Sequence, residues 1–158
     1  MIHRVGMADA RATGGNNSLR TLGLGSCVGV ALYDASAKVA GLVHIMLPQS
    51  SSRGECQPAK YADTGIPYLL RLMSELGAEE RRIVAKLAGG AQMFANTGNL
   101  DSMRIGPRNV EAVEAALALR RIPILATAVG GSQGRTVELF GEDGRLSIRS
   151  VLQSESFI

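Results

Sequence analysis

Val28-Gly-Val-Ala-Leu-Tyr33 and Val39-Ala-Gly-Leu-Val-His-Ile-Met-Leu47 are β-prone runs joined by the polar stretch Asp34-Ala-Ser-Ala-Lys38, the pattern of a β-hairpin. A turn centred on Ser36-Ala37 pairs Asp34 with Val39. Stepping down the strands then sets Gly29 opposite His44 and Cys27 opposite Met46. Side chains alternate faces with period two, so Cys27, Gly29, His44 and Met46 share one face. Cys27 and His44 become diagonal neighbours, roughly 7–8 Å apart at the backbone and closer at their tips. Gly29 has no side chain and leaves the space in front of His44 open. A slip of one residue would put the thiol and the imidazole on opposite faces, so the register decides whether they can meet.

A thiol beside an imidazole is a pair suited to nucleophilic catalysis. A free thiol titrates near ~8.5, and a paired imidazole can lower that value to give a thiolate at neutral pH. The cysteine is preceded by Thr21-Leu-Gly-Leu-Gly-Ser26. Backbone N–H groups around Gly23, Gly25 and Ser26 can approach a developing oxyanion. Thr21 is near enough in the chain to orient the histidine. The same residues also fit a plainer reading, with Cys27 a small buried hydrophobe and His44 a hydrogen-bonded core histidine. Spacing alone does not separate the two.

The rest of the composition narrows the classes. With 158 residues and 46% hydrophobic content, the chain can bury a core without disulfides, as a single soluble domain over residues 1–158. No apolar run approaches the ~20 residues that a membrane-spanning helix needs, so no membrane insertion is expected. The start, MIHRVGMADARAT, lacks the apolar core of a secretion signal. A cytoplasmic location with free thiols follows as the expectation. Cys56, in the polar loop SSRGECQPAK, reads as a bystander thiol. The net charge is +3, and 14 of the 17 basic residues are arginines scattered along the chain. With three Tyr, three Phe and no Trp, there is no basic cluster with interleaved aromatics, so a nucleic-acid partner is not expected. A dispersed arginine surface suits an acidic protein partner instead, because the guanidinium pairs with carboxylates in a bidentate manner. Two His and two Cys without CxxC or HxxxH spacing offer no metal site. Gly130-Gly-Ser-Gln-Gly134 has no GK[ST] ending, and GLGSCVG misses GxGxxG, so no nucleotide cofactor is implied.

Outside the hairpin, Ile2 to Met7 reads as a strand, followed by a Gly- and Asn-rich loop to Asn17. After Tyr61, Ile66, Leu69, Leu70, Met73 and Leu76 recur at helical spacing, with Pro67 placed in a first turn and Gly77 as the stop. Arg82 to Ala88 is a strand, Asn96 to Asn99 a turn, and Asn109 the expected N-cap of a second helix. Pro123 to Val129 is a strand. Arg135 to Phe140 and Arg145 to Val151 form a hairpin around Gly141-Glu-Asp-Gly144, and the tail from Leu152 is expected to fray. The order predicts an α+β layered sandwich of mainly antiparallel or mixed sheets covered by two main helices.

The blocks TLGLGSCVGVALYD and GLVHIMLP, followed in order by KYADTGIPYLL, KLAGGAQMF, IGPRN and VGGSQGR, resemble CheD, a family of chemoreceptor glutamine deamidases. The likeness spans nearly the whole chain. One departure is Ala128, where the family commonly has an acidic residue before its paired glycines. The resemblance implies a layered α/β sandwich and a Cys-His-Thr triad with Cys27 as nucleophile, His44 as base and Thr21 as third member. It implies deamidation of glutamine side chains on the cytoplasmic helices of chemoreceptors, some hydrolysis of receptor glutamyl methyl esters, and a second partner, the CheC phosphatase. No cofactor is needed for that chemistry. A non-catalytic adaptor that binds receptors and CheC would share these partners without releasing ammonia. A generic cysteine amidase would turn over free glutamine.

Overall fold

The computed structural model describes residues 1–51, 57–93 and 104–158. The β-hairpin forms as β4 (Val28–Asp34) and β5 (Val39–Ile45), and it sits at the centre of the molecule. In the central sheet these strands are flanked by β2 (Ala10–Gly14), β6 (Val84–Gly89) and β7 (Ile124–Val129), in the order β2-β5-β4-β6-β7. A second sheet runs β1-β3-β8-β9-β10, comprising β1 (Ile2–Arg4), β3 (Ser18–Leu24), β8 (Arg135–Phe140), β9 (Leu146–Ser150) and β10 (Ser156–Phe157). Both sheets are mixed. The pairs β6–β7 and β1–β3 are parallel and the others antiparallel.

Every residue of β4 and β5 is buried, because the central sheet is covered on both faces. On one face Val28, Val30, Val43 and Ile45 join a core with Ile66, Leu69 and Met73 of α1 (Ala62–Ser74) and Val113 and Leu117 of α2 (Ile105–Leu119). On the other, Ala31, Ala40 and Leu42 pack with Leu19, Val137, Leu139 and Leu146 of the second sheet. The result is three layers: helices, central sheet, second sheet. The layered α+β architecture is as expected, with the helices covering one face only. Gly41 lets α1 lie close on β5, since a Cβ there would come within 2.6 Å of Met73 Sδ.

The hairpin register is the one the turn implied, with Val28 opposite Ile45 and Gly29 opposite His44. Asp34 anchors the turn and is completely buried. Its carboxylate accepts hydrogen bonds from the N–H groups of Ser36 (3.1 Å), Ala37 (3.2 Å) and Glu79 (2.9 Å) and from Arg82 Nε. Burial opposes the charge, but Arg82 and these N–H donors outweigh it and hold the carboxyl below its ordinary range.

Several local expectations are corrected. Residues 10–14, expected as loop, form β2, because their backbone pairs along the free edge of β5 despite weak strand propensity. Pro67 lies in the second turn of α1 rather than the first; the buried face of Ile66, Leu69, Leu70 and Met73 holds the helix through it. The tail does not simply fray, since β10 pairs with β9. Helix α2 starts at Ile105, so Asn109 is inside it and is not its N-cap. The expected turn at 96–99 and Cys56 lie outside the described residues.

Replacing Asp34 with Ala strands three backbone donors beside the hairpin. It is expected to cost at least about 2 kcal/mol at neutral pH, or roughly 4–8 °C in Tm. Because the folded carboxyl titrates below the unfolded one, this contribution is present above about pH 4 and is lost as pH falls further. The difference in thermal unfolding between wild type and Asp34→Ala should therefore shrink as pH falls below about 4; a constant difference would show that the charge is not responsible.

Candidate active site

Strand β5 carries His44 on the face that meets the second sheet, and β3 carries Thr21 towards it from across the interface. The two meet in the buried space between the sheets. Thr21 is 1% exposed and His44 0%, and Thr21 Oγ1 lies 2.7 Å from His44 Nδ1. The hydroxyl also lies 2.7 Å from the C=O of Val5, to which it can only donate. A hydroxyl has one proton, so its oxygen must accept from the imidazole. The neutral ring therefore carries its proton on Nδ1 and presents a lone pair at Nε2. Nε2 is buried and has no hydrogen-bond partner among the described residues. It is a basic atom with no proton donor engaged on it.

Cys27 immediately precedes β4, on the side of that strand packed against the second sheet. Gly29 stands directly opposite His44. The segment before the cysteine is shaped by a register shift between Thr21 and Leu24 in the β3–β8 ladder, with Gly23 at φ +70°. Gly25 donates its N–H to Gly23 C=O at 3.0 Å. The carbonyls of Gly25 and Cys27 are held by the N–H groups of Ala91 and Gly90, each at 2.8 Å. Gly89 has φ +104°, and a Cβ there would run into the Cys27 carbonyl. The Gly89-Gly90 pair thus serves close approach of the backbone to the cysteine segment. Among the described residues, no group of His, Cys, Asp and Glu is arranged to hold a metal ion, and no helix is long and apolar enough to cross a membrane.

Residues 46–150 match the family model described as CheD chemotactic sensory transduction. The span begins just past Cys27 and His44, but the full-length relatives extend over both. The chain is 54% identical to the chemoreceptor glutamine deamidase CheD of Halalkalibacterium halodurans, over 98% of this chain and 97% of the relative. It is 51% identical to the probable chemoreceptor glutamine deamidase CheD of Caldanaerobacter subterraneus subsp. tengcongensis, over 99% and 98%. It is 44% identical to the chemoreceptor glutamine deamidase CheD of Bacillus subtilis, over 100% and 96%. The chain belongs to the CheD family.

Within this CheD-family fold the expected residues come together unevenly. Thr21 and His44 are in direct contact, whereas Cys27 makes no hydrogen bond to Nε2 in the resting arrangement. Gly23, Gly25 and Ser26 lie in the segment that leads into the cysteine, with the Gly25 N–H occupied by the Gly23 carbonyl. Two contributors were not read from the sequence. Val5 fixes the Thr21 hydroxyl, and Asn109 donates to the C=O groups of Ser26 and Met46. An asparagine inside an amphipathic helix weakens it, and that was the available signal for the second. Nothing in the sequence pointed to the first, because a backbone carbonyl has no residue signature.

Electrostatics separate this pair from a preformed thiolate–imidazolium couple. Burial pushes the Cys27 thiol above its ordinary range, only partly offset by its own backbone N–H. Burial also holds His44 below the ordinary imidazole value. Both groups are neutral at rest near pH 7. Alkylation of Cys27 by iodoacetamide should therefore climb steadily from about pH 7 to beyond pH 9; a plateau reaching down to about pH 6 would reveal an ion pair instead. The depressed imidazole also leaves a mark on stability. The unfolded chain takes up a proton near ~6.5 that the folded one resists, so this contribution is present above that pH and lost below it. In denaturant titrations the fall in stability between about pH 7.5 and pH 5 should be shallower in His44→Gln than in wild type. Parallel curves would mean that His44 titrates alike in both states.

Proposed function

We propose that this chain deamidates glutamine side chains of methyl-accepting chemotaxis receptors, converting them to glutamate with release of ammonia through Cys27, His44 and Thr21. The observation that carries the assignment of roles is the buried Thr21–His44 hydrogen bond. With the hydroxyl committed to Val5, Nε2 is left as the basic atom on the face shared with Cys27. The names of the full-length relatives support the substrate.

In this reading Nε2 takes the thiol proton as Sγ attacks the amide carbon, forming the C–S bond and placing negative charge on the amide oxygen. Ser26 N–H, without a backbone hydrogen bond among the described residues, is a candidate donor to that oxygen. Collapse breaks the C–N bond, and the imidazolium gives its proton to the departing nitrogen, so ammonia leaves. Water, deprotonated by Nε2, then cleaves the thioester, regenerating the thiol and leaving a carboxylate. Thr21 keeps the ring in the Nδ1–H tautomer throughout. A hydroxyl stabilises imidazolium less than an aspartate does, which suits a base that returns its proton at once. A glutamyl methyl ester offers the same acyl carbon with methanol as leaving group, so ester hydrolysis follows from the same machinery. In this reading the protein works in the reducing cytoplasm, which suits a free thiol, with receptor helices as substrate and the CheC phosphatase as regulatory partner. The mechanism uses no cofactor.

Purified protein incubated with a receptor cytoplasmic fragment is expected to release ammonia and convert defined glutamines to glutamates, read by peptide mass. Cys27→Ala should be inactive. Thr21→Ala should lose about 10-fold or more in kcat, the equivalent of about 1.4 kcal/mol of transition-state stabilisation, and Thr21→Ser should recover much of it. Binding of the receptor fragment without ammonia release would favour an adaptor, and turnover of free glutamine a small-molecule amidase.

A further inference from the structure

Asn109 lies in the second turn of α2 and is completely buried. Its Nδ2 donates two hydrogen bonds, 2.9 Å to the C=O of Ser26 and 2.9 Å to the C=O of Met46. The reverse amide orientation would set Oδ1 against two carbonyl oxygens, so the surroundings decide which atom is the nitrogen. The β4–β5 ladder ends at the pair Val28–Ile45. One step beyond it Met46 turns away, giving its N–H to Lys60 C=O at 2.8 Å. The carboxamide takes the place of the missing rung. It joins the peptide that precedes Cys27 to the chain two residues past His44.

We propose that Asn109 is a positioning residue that sets the separation and direction of Cys27 relative to His44 by clamping the open ends of β4 and β5. The role rests on the Cys27–His44 chemistry proposed above, and Asn109 itself touches neither reacting atom. Three consecutive carbonyls lead into the nucleophile. Those of Gly25 and Cys27 are held by backbone N–H groups, and that of Ser26 by the Asn109 side chain. Without this donor the Ser26–Cys27 peptide can rotate, and with it the Cys27 N–H and the direction of the thiol.

Two further observations fit a positioning role better than a packing role. Asn109 Oδ1 is buried with no partner among the described residues. Such an atom costs stability that an apolar side chain of the same size would not. The helix that carries Asn109 is also seated against the cysteine's own supports. A Cβ at Gly106 would overlap the carbonyls of Gly90 and Ala91, the two residues whose N–H groups hold the Cys27 and Gly25 carbonyls. Clamp and loop are therefore in register with one another.

The test compares wild type with Asn109→Asp, which keeps the shape but can hold at most one of the two carbonyls, through a protonated carboxyl. Asn109→Leu serves as the second variant, and folding of each is judged by near-ultraviolet circular dichroism. Per folded molecule, kcat on a receptor fragment should fall about 10- to 100-fold with KM little changed, the size expected for a misplacement of about an ångström. Cys27 should also alkylate faster than in wild type at equal pH, with a changed pH profile, because the segment has lost a tether. Folded variants whose Cys27 keeps the wild-type alkylation rate and pH profile would overturn the clamp, as would an unchanged kcat. Cys27→Ala is assayed in parallel. If it retains turnover, the nucleophile assignment falls, and the alkylation comparison still decides the clamp by itself.

Discussion

The structure depends on the central hairpin being covered on both faces. Strands β4 and β5 have no solvent side on which an ill-fitting residue could be tolerated. A slip of one residue would exchange the two faces, driving Val28, Val30 and Val43 towards the second sheet and His44 into the apolar layer under α1 and α2. Gly41 would also lose its place under Met73, and a side chain would stand where the helix must approach. The buried Asp34 closes the turn in one geometry only, since its carboxylate is met from both the turn and the Glu79–Arg82 segment. The position of His44 opposite Gly29 is therefore a consequence of core packing, not of any interaction at the site.

That packing places the candidate chemistry between layers. His44 belongs to the central sheet and Thr21 to the second, so their hydrogen bond exists only once the two sheets have closed on each other. Closure sets the tautomer and removes water from the ring in one event. It also explains why both titratable members are neutral, because burial disfavours thiolate and imidazolium alike. The site suits a proton taken during attack rather than one removed beforehand. The two buried side-chain polar atoms without partners among the described residues, His44 Nε2 and Asn109 Oδ1, both belong to this corner of the molecule. Unmet buried side-chain polar atoms are concentrated at the candidate site and are absent from the rest of the described core.

The hairpin, its register, the layered α+β class and the shared face of Cys27 and His44 were legible in the sequence, because alternation and turn chemistry act locally and a wrong register changes the face of every residue. Helix α1 was legible from its apolar spacing, although its tolerance of Pro67 was not, since the gain from its buried face is tertiary. Strand β2 and strand β10 were missed for a common reason: both are edge strands formed by backbone pairing with a neighbour already in place, which composition does not record. Asn109 was misplaced because the cap signal is local, while the carbonyls it meets belong to residues 83 and 63 positions away. The sequence by itself determined which residues could carry the chemistry and which faces they share. Only the tertiary structure decided the tautomer of His44, the neutrality of the pair and the tethering of the cysteine segment. Those depend on burial and on backbone carbonyls brought from distant strands, and neither has a signature in the order of the side chains.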